Sequence, residues 1–147
     1  MTPPMPPHTP PGGRDRPVSA ETTDRTGAAV TIALRDPSPV GSFVITLGDG
    51  PEVGRADFLD PPGAQRERIF FHTEVDADHG SRGLAGLVVR EALADSIRRD
   101  LIVVPVCPLF ARHLRSHGEE FTADGGRFRR PTRDDVDLVT RTVRDTP

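Results

Sequence analysis

The chain has no lysine, no tryptophan and no tyrosine, and only one cysteine in 147 residues. Without lysine there is no G-x-x-x-x-G-K-[ST] phosphate loop, and the G-x-G-x-x-G spacing of dinucleotide folds is missing as well. A lone cysteine forms no internal disulfide. No stretch reaches the roughly 20 apolar residues of a membrane-spanning helix, and the N-terminus lacks a hydrophobic signal core, so the expected location is cytoplasmic with no membrane partner. The formal net charge of −3 gives no global argument for nucleic acid or a lipid surface. The nineteen Lys+Arg positions are all arginine, which reads as codon bias.

What is present is unevenly placed. Seven prolines crowd residues 1–27 with almost nothing to bury, and ordering such a segment costs entropy that no core offsets. It is expected to be a disordered tail, followed by one domain over residues 28–122 and an extension over 123–147. Within the domain, residues 28–34, 42–47, 53–59 and 67–75 are strand candidates separated by Pro, Gly and Asp turns. Helical periodicity then begins at Leu84. Ala85, Val89, Leu93 and Ile97 recur every four residues beside Leu84, Val88 and Ala92, while Arg90, Glu91, Asp95 and Arg98 fall on the expected wet face. Residues 101–106 are a β-branched run without alternation, suited to a strand covered on both sides. A second helix starts at Cys107 and Pro108. The order β-β-β-β-α-β-α implies an α/β fold with a mixed sheet flanked by helices. In the extension, Thr132 is expected to cap a short helix that either packs on the domain or pairs with a partner chain. The small basic cluster at residues 127–130 has only Phe128 as an aromatic neighbour, so nucleic acid is not the expected partner.

Several residues carry candidate chemistry. Between the strand ending at Val75 and the helix at Leu84, Gly80, Ser81, Arg82 and Gly83 form a turn whose free helix N–H groups suit an anion, the alternative being a plain tight connection. Gly83→Glu is expected to leave the fold intact while blocking a phosphate there. Pro108 at a first helical position puts Cys107 at the N-cap, with its sulfur expected near the N–H groups of Leu109 and Phe110 and its thiolate favoured; a small buried hydrophobe is the other reading. His72 and Glu74 lie two apart on one strand face and suit proton acceptance from an ammonium group. His113, six residues beyond Cys107, is too far along a helix to meet the thiol. Asp76, Asp78 and His79 lack the further ligand group a closed metal site needs, so no metal is expected.

His72-Thr73-Glu74-Val75, Ser81-Arg82-Gly83-Leu84-Ala85, Val103-Val104-Pro105-Val106-Cys107-Pro108 and His117-Gly118-Glu119-Glu120-Phe121, in this order and spacing, resemble the small YjdJ-type members of the GCN5-related N-acetyltransferases. The resemblance implies that family's acyl-CoA fold, with two strands splayed to admit the pantetheine arm. It also implies acetyl-CoA as co-substrate and a primary amine, small or macromolecular, as acceptor. Thr73, Glu74 and Val75 would hold the thioester, Gly80 to Ala85 the pyrophosphate, and Cys107 with Pro108 would sit beside the acetyl group, Cys107 as a proposed acetyl carrier. Two departures stand out: Gly80 where the wider family has Arg or Gln, and His113 where a proton-donating Tyr is frequent. They keep a second reading open, a CoA-binding or sensor module without turnover.

Overall fold

A computed structural model describes residues 18–35, 39–48, 50–63, 66–78 and 83–145. Seven strands form one mixed sheet: β1 (Val18–Thr23), β2 (Ala29–Arg35), β3 (Val40–Leu47), β4 (Glu52–Leu59), β5 (Glu67–Val75), β6 (Ile102–Pro105) and β7 (Arg127–Phe128). Three helices accompany it: α1 (Leu84–Arg98), α2 (Pro108–Ala123) and α3 (Arg133–Asp145). The strands lie side by side in chain order. β1 to β5 are antiparallel hairpin neighbours, whereas β5, β6 and β7 are parallel and joined through α1 and α2. Both crossovers step the same way across the sheet, and right-handed connections then put both helices on one face.

That face carries the main core. Alternate residues of the strands, Ile32, Phe43, Ile45, Ala56, Phe58 and Phe70, bury against Leu84, Val88 and Ala92 of α1 and Phe110 and Leu114 of α2. The opposite face holds a smaller cluster of Leu59, Ile69 and Val104, against which α3 packs Leu138 and Val139. The C-terminal extension therefore belongs to the domain and covers its second face.

Two expectations need correction. The segment expected as tail contains β1, which pairs with β2 from Thr23↔Ala29 to Val18↔Ala33; residues 1–17 lie outside those described. Asp95 is not on the wet face: it is buried and accepts hydrogen bonds from Arg68 and Arg99, because Arg68 of β5 is itself buried, pairs with Asp60 and lies 4.0 Å over the Phe58 ring. The basic cluster at 127–130 is no open patch, since Arg127 pairs with Asp100 and Arg129 grips both Glu67 of β5 and Asp135 of α3.

The Arg129 clasp fixes α3. Asp135 also accepts from the Thr132 N–H, and the Thr132 hydroxyl caps the Asp135 N–H in return. Hydrogen bonding to Arg129 holds the Asp135 carboxyl at about 2, below its ordinary 3.8, and lowers Glu67 as well. A depressed carboxyl gives up its proton at lower pH in the folded chain than in the unfolded one, so the clasp contributes its full stabilisation above pH 3.8 and loses it as pH falls through about 2. About 2 kcal/mol is at stake for Asp135. Thermal melts between pH 6 and 2 should show a fall in stability in that window that Asp135→Asn largely flattens; parallel curves for variant and parent would refute the role of the clasp.

Candidate acyl-transfer cleft

The site lies where β6 leaves β5. Parallel pairing runs from Glu67↔Ile102 to Phe70↔Pro105, and the Cys107 N–H closes it with a 2.8 Å bond to the Phe70 carbonyl. Pro105 has no N–H with which to extend a ladder, and Pro108 turns the chain into α2. Among the described residues, 71–75 of β5 then run on with no strand paired on that edge.

A β-bulge decides what the open edge presents. Asp57 of β4 faces His72 while Phe58 faces Phe70, leaving Phe71 unpaired. The Phe70 carbonyl points towards β6, yet further along β5 the Asp76 N–H bonds to Val53 on β4. Alternate residues of a strand turn their backbone groups to the same edge, so His72 and Glu74 address β4, and the N–H groups of Thr73 and Val75 point into the gap. Two parallel N–H donors on an edge where the β6 pairing has ended suit a carbonyl oxygen and an amide-bearing chain.

Cys107 stands at the root of the gap. It is the N-cap of α2, buried to 3% exposure, but its sulfur makes no cap hydrogen bond to the helix. The expected contact with the N–H groups of Leu109 and Phe110 is replaced by one with the Thr73 hydroxyl, at 3.3 Å. The Phe70 and Phe110 rings, stacked at 4.4 Å, hold β5 to the first turn of α2.

His72 and Glu74 share a face, as their spacing requires, but it is the other one. Their cross-strand partners are Asp57 and Arg55, whereas Thr73 pairs with core Ala56. Glu74 receives Arg55 at 2.8 Å and lies 3.6 Å from His72 Nε2. Arg55 also holds Asp57, which takes the Ser42 hydroxyl at 2.6 Å. Both His72 and Glu74 side chains are about half exposed, at 48% and 56%. The sheet thus separates the thiol on the helical face from a solvent-accessible carboxylate on the other, with the edge of β5 between them.

His113 joins neither group. It lies on α2 over a groove of about 250 Å³ between α1 and α2, lined also by Ala85, Gly86 and Val89, and stacks on His117 at 4.7 Å. Burial, then the charges of His117 and Arg90, lower its pKa, which favours the neutral ring at pH 7.

Gly80, Ser81 and Arg82 of the expected phosphate turn lie outside the described residues, as does His79. Gly83 is the N-cap of α1 in a left-handed conformation, φ 76°, and a Cβ there would stand 3.0 Å from Arg25 Nε. The left-handed φ adds a cost the sequence does not reveal, because a side chain there is strained by about 1 to 3 kcal/mol whatever it does to a ligand, so Gly83→Glu does not test phosphate binding alone. Leu84 is buried in the core and Ala85 borders the helix groove; Pro108 is exposed at the first position of α2. Arg55 and the Thr73 hydroxyl were not anticipated. An alternating Arg55-x-Asp57 on a strand was the available signal for the former, but its partner depends on register. Among the described residues no group of three side chains is placed to hold a metal ion, and no helix is long and apolar enough to cross a membrane.

Comparison with curated proteins gives no match. A family model described as GCN5-related N-acetyl-transferase matches residues 42–124, more than half of the chain, from within β3 to the end of α2.

Proposed function

Since the chain belongs to the GCN5-related N-acetyltransferase family, we propose that it moves an acetyl group from acetyl-CoA to a primary amine. The observation that carries this reading is the parting of β5 and β6, which leaves the Thr73 and Val75 N–H groups facing a gap with Cys107 at its root. In this proposal the two N–H groups hold the pantetheine arm and the thioester oxygen, where negative charge grows as the carbonyl is attacked. Pyrophosphate lies at the start of α1, around Gly80 to Ala85. The acceptor approaches from the face of His72 and Glu74; Glu74 takes the ammonium proton, directly or through water, and His72 supports it. Attack by the free amine forms the amide and releases CoA thiolate, which is reprotonated from solvent, since the neutral ring of His113 is no acid for it.

The Cys107–Thr73 contact favours a second route to the same products. The Cys107 sulfur attacks the thioester carbon, CoA leaves as its thiol with the proton Cys107 gives up, and attack of the amine on acetyl-Cys107 then forms the amide and restores the Cys107 thiol. This is the route proposed for the small YjdJ-type members the sequence resembles, and a cytoplasmic location goes with it. A module that binds CoA without turnover accounts for Gly80 and the absent Tyr, but not for an accessible carboxylate beside the open edge.

One set of measurements separates the three. Turnover predicts CoA release that depends on an added amine from a panel of small amines and lysine peptides. The acetyl-Cys107 route adds a +42 Da species on Cys107 in the absence of amine, lost in Cys107→Ala. Tight binding of acetyl-CoA without amine-dependent release would overturn the enzyme reading in favour of the binding module.

A further inference from the structure

The family match begins at residue 42, yet a turn N-terminal to it reaches the start of α1. The turn between β1 and β2 carries Arg25 against Gly83, the N-cap of α1: a Cβ built on Gly83 would meet the Arg25 side chain at Nε, Cγ and Cδ, 3.0 to 3.5 Å away. A cleft of about 250 Å³ opens at this point, lined by Thr23, Arg25, Gly83, Gly86, Leu87 and Arg90. Two guanidinium groups from distant parts of the chain therefore flank one small cleft.

Several of the described arginines hold a carboxylate. Arg35, Arg55, Arg68, Arg98, Arg99, Arg127 and Arg129 each do so. Arg25 and Arg90 have no carboxylate partner among the described residues. Asp24 also borders the cleft, but its Oδ1 is taken up by its own turn, accepting from the Thr26 N–H, the Thr26 hydroxyl and the Ala28 N–H. Two guanidinium groups against one carboxylate leave the cleft with a surplus of positive charge beside Gly83.

Resting on the acetyl-CoA reading above, we propose that Arg25, with Arg90, binds a phosphate of the donor, so that the β1–β2 turn supplies a cation from outside the glycine turn. The guanidinium fork matches phosphate oxygens, and both residues reach the cleft from exposed positions where removal leaves the core untouched. CoA offers two sources of such an anion, the pyrophosphate and the 3′-phosphate. The proposal requires only that one of them sit between the two arginines.

Calorimetry on the full chain with acetyl-CoA, acetyl-dephospho-CoA and S-acetylpantetheine tests it. Arg25→Ala should weaken acetyl-CoA binding about tenfold, Arg25→Lys should recover part of the loss, and Arg144→Ala on α3 should change nothing. S-acetylpantetheine, which has neither phosphate group, should bind parent and Arg25→Ala alike. A deficit retained with acetyl-dephospho-CoA identifies the pyrophosphate, and one that disappears identifies the 3′-phosphate. Parent-like affinity of Arg25→Ala for acetyl-CoA, or an equal loss for S-acetylpantetheine, overturns the assignment while leaving the acetyltransferase reading intact. Failure of the unaltered chain to bind acetyl-CoA would overturn both.

Discussion

Phe70→Ala should cost about 3 to 5 kcal/mol of folding free energy, a third or more of what a domain this size possesses. Phe70 is fully buried, stacks on Phe110 of α2 at 4.4 Å and lies 5.8 and 6.3 Å from the rings of Phe58 and Phe43. It is thus the one ring common to the antiparallel half of the sheet and the second crossover. Its carbonyl also receives the Cys107 N–H that ends the β5–β6 pairing. Truncation removes the transfer energy of the ring and leaves a cavity that rigid strands on both sides prevent from closing. Phe70→Leu keeps most of the volume and should cost roughly half as much. Urea unfolding measures both. A loss under about 1 kcal/mol for the alanine variant would mean that α2 is held elsewhere and that the aromatic stack does not set the width of the gap.

The second large effect concerns chemistry. Glu74→Gln should lower kcat about a hundredfold, within the range general-base removal produces, while acetyl-CoA affinity stays within about twofold. Glutamine preserves the shape and still accepts from Arg55, but it takes no proton. Stability decides little here: the Glu74–Arg55 pair is 56% and 39% exposed, and such pairs contribute about 0 to 1 kcal/mol. A lowered rate is therefore not a folding defect, which a melting curve on the same sample checks. His72→Gln should fall less, about tenfold. If Glu74→Gln retains a third or more of the parental kcat, the amine loses its proton to another group or arrives already neutral, and Glu74 serves only to hold Arg55.

Strands 2 to 6 and the first two helices were legible because each is bounded by residues with strong local preferences, such as Gly48, Pro61, Pro62 and Pro108, and because their apolar periods are unambiguous. β1 was not. Val-Ser-Ala-Glu-Thr-Thr has little to bury, follows a proline-rich stretch, and is a strand only because β2 offers it an edge. The N-cap position of Cys107 followed from Pro108, but its hydroxyl partner lies 34 residues earlier and nothing local pointed to it. The pairing of His72 with Glu74 was legible from alternation alone. Which face they share depends on where the helices pack and on a bulge at Phe71, and both are properties of the assembled sheet. Charge was the least legible feature: Asp95 and Arg129 look solvated in sequence, yet their partners Arg68 and Glu67 stand 27 and 62 residues away.

The sheet order, β1 through β7 without a permutation, bears on how the chain folds during synthesis. Each strand leaving the ribosome finds its only partner already made and adds at a growing edge, so no strand has to be inserted between two others. The antiparallel half can pair with short loops to close, and the slower parallel additions wait for α1 and α2 to emerge. The segment after α2, carrying Arg129 and Asp135, reaches back to Glu67 on β5. A nascent chain stalled before Arg129 would therefore leave Leu59, Ile69 and Val104 uncovered as a sticky surface.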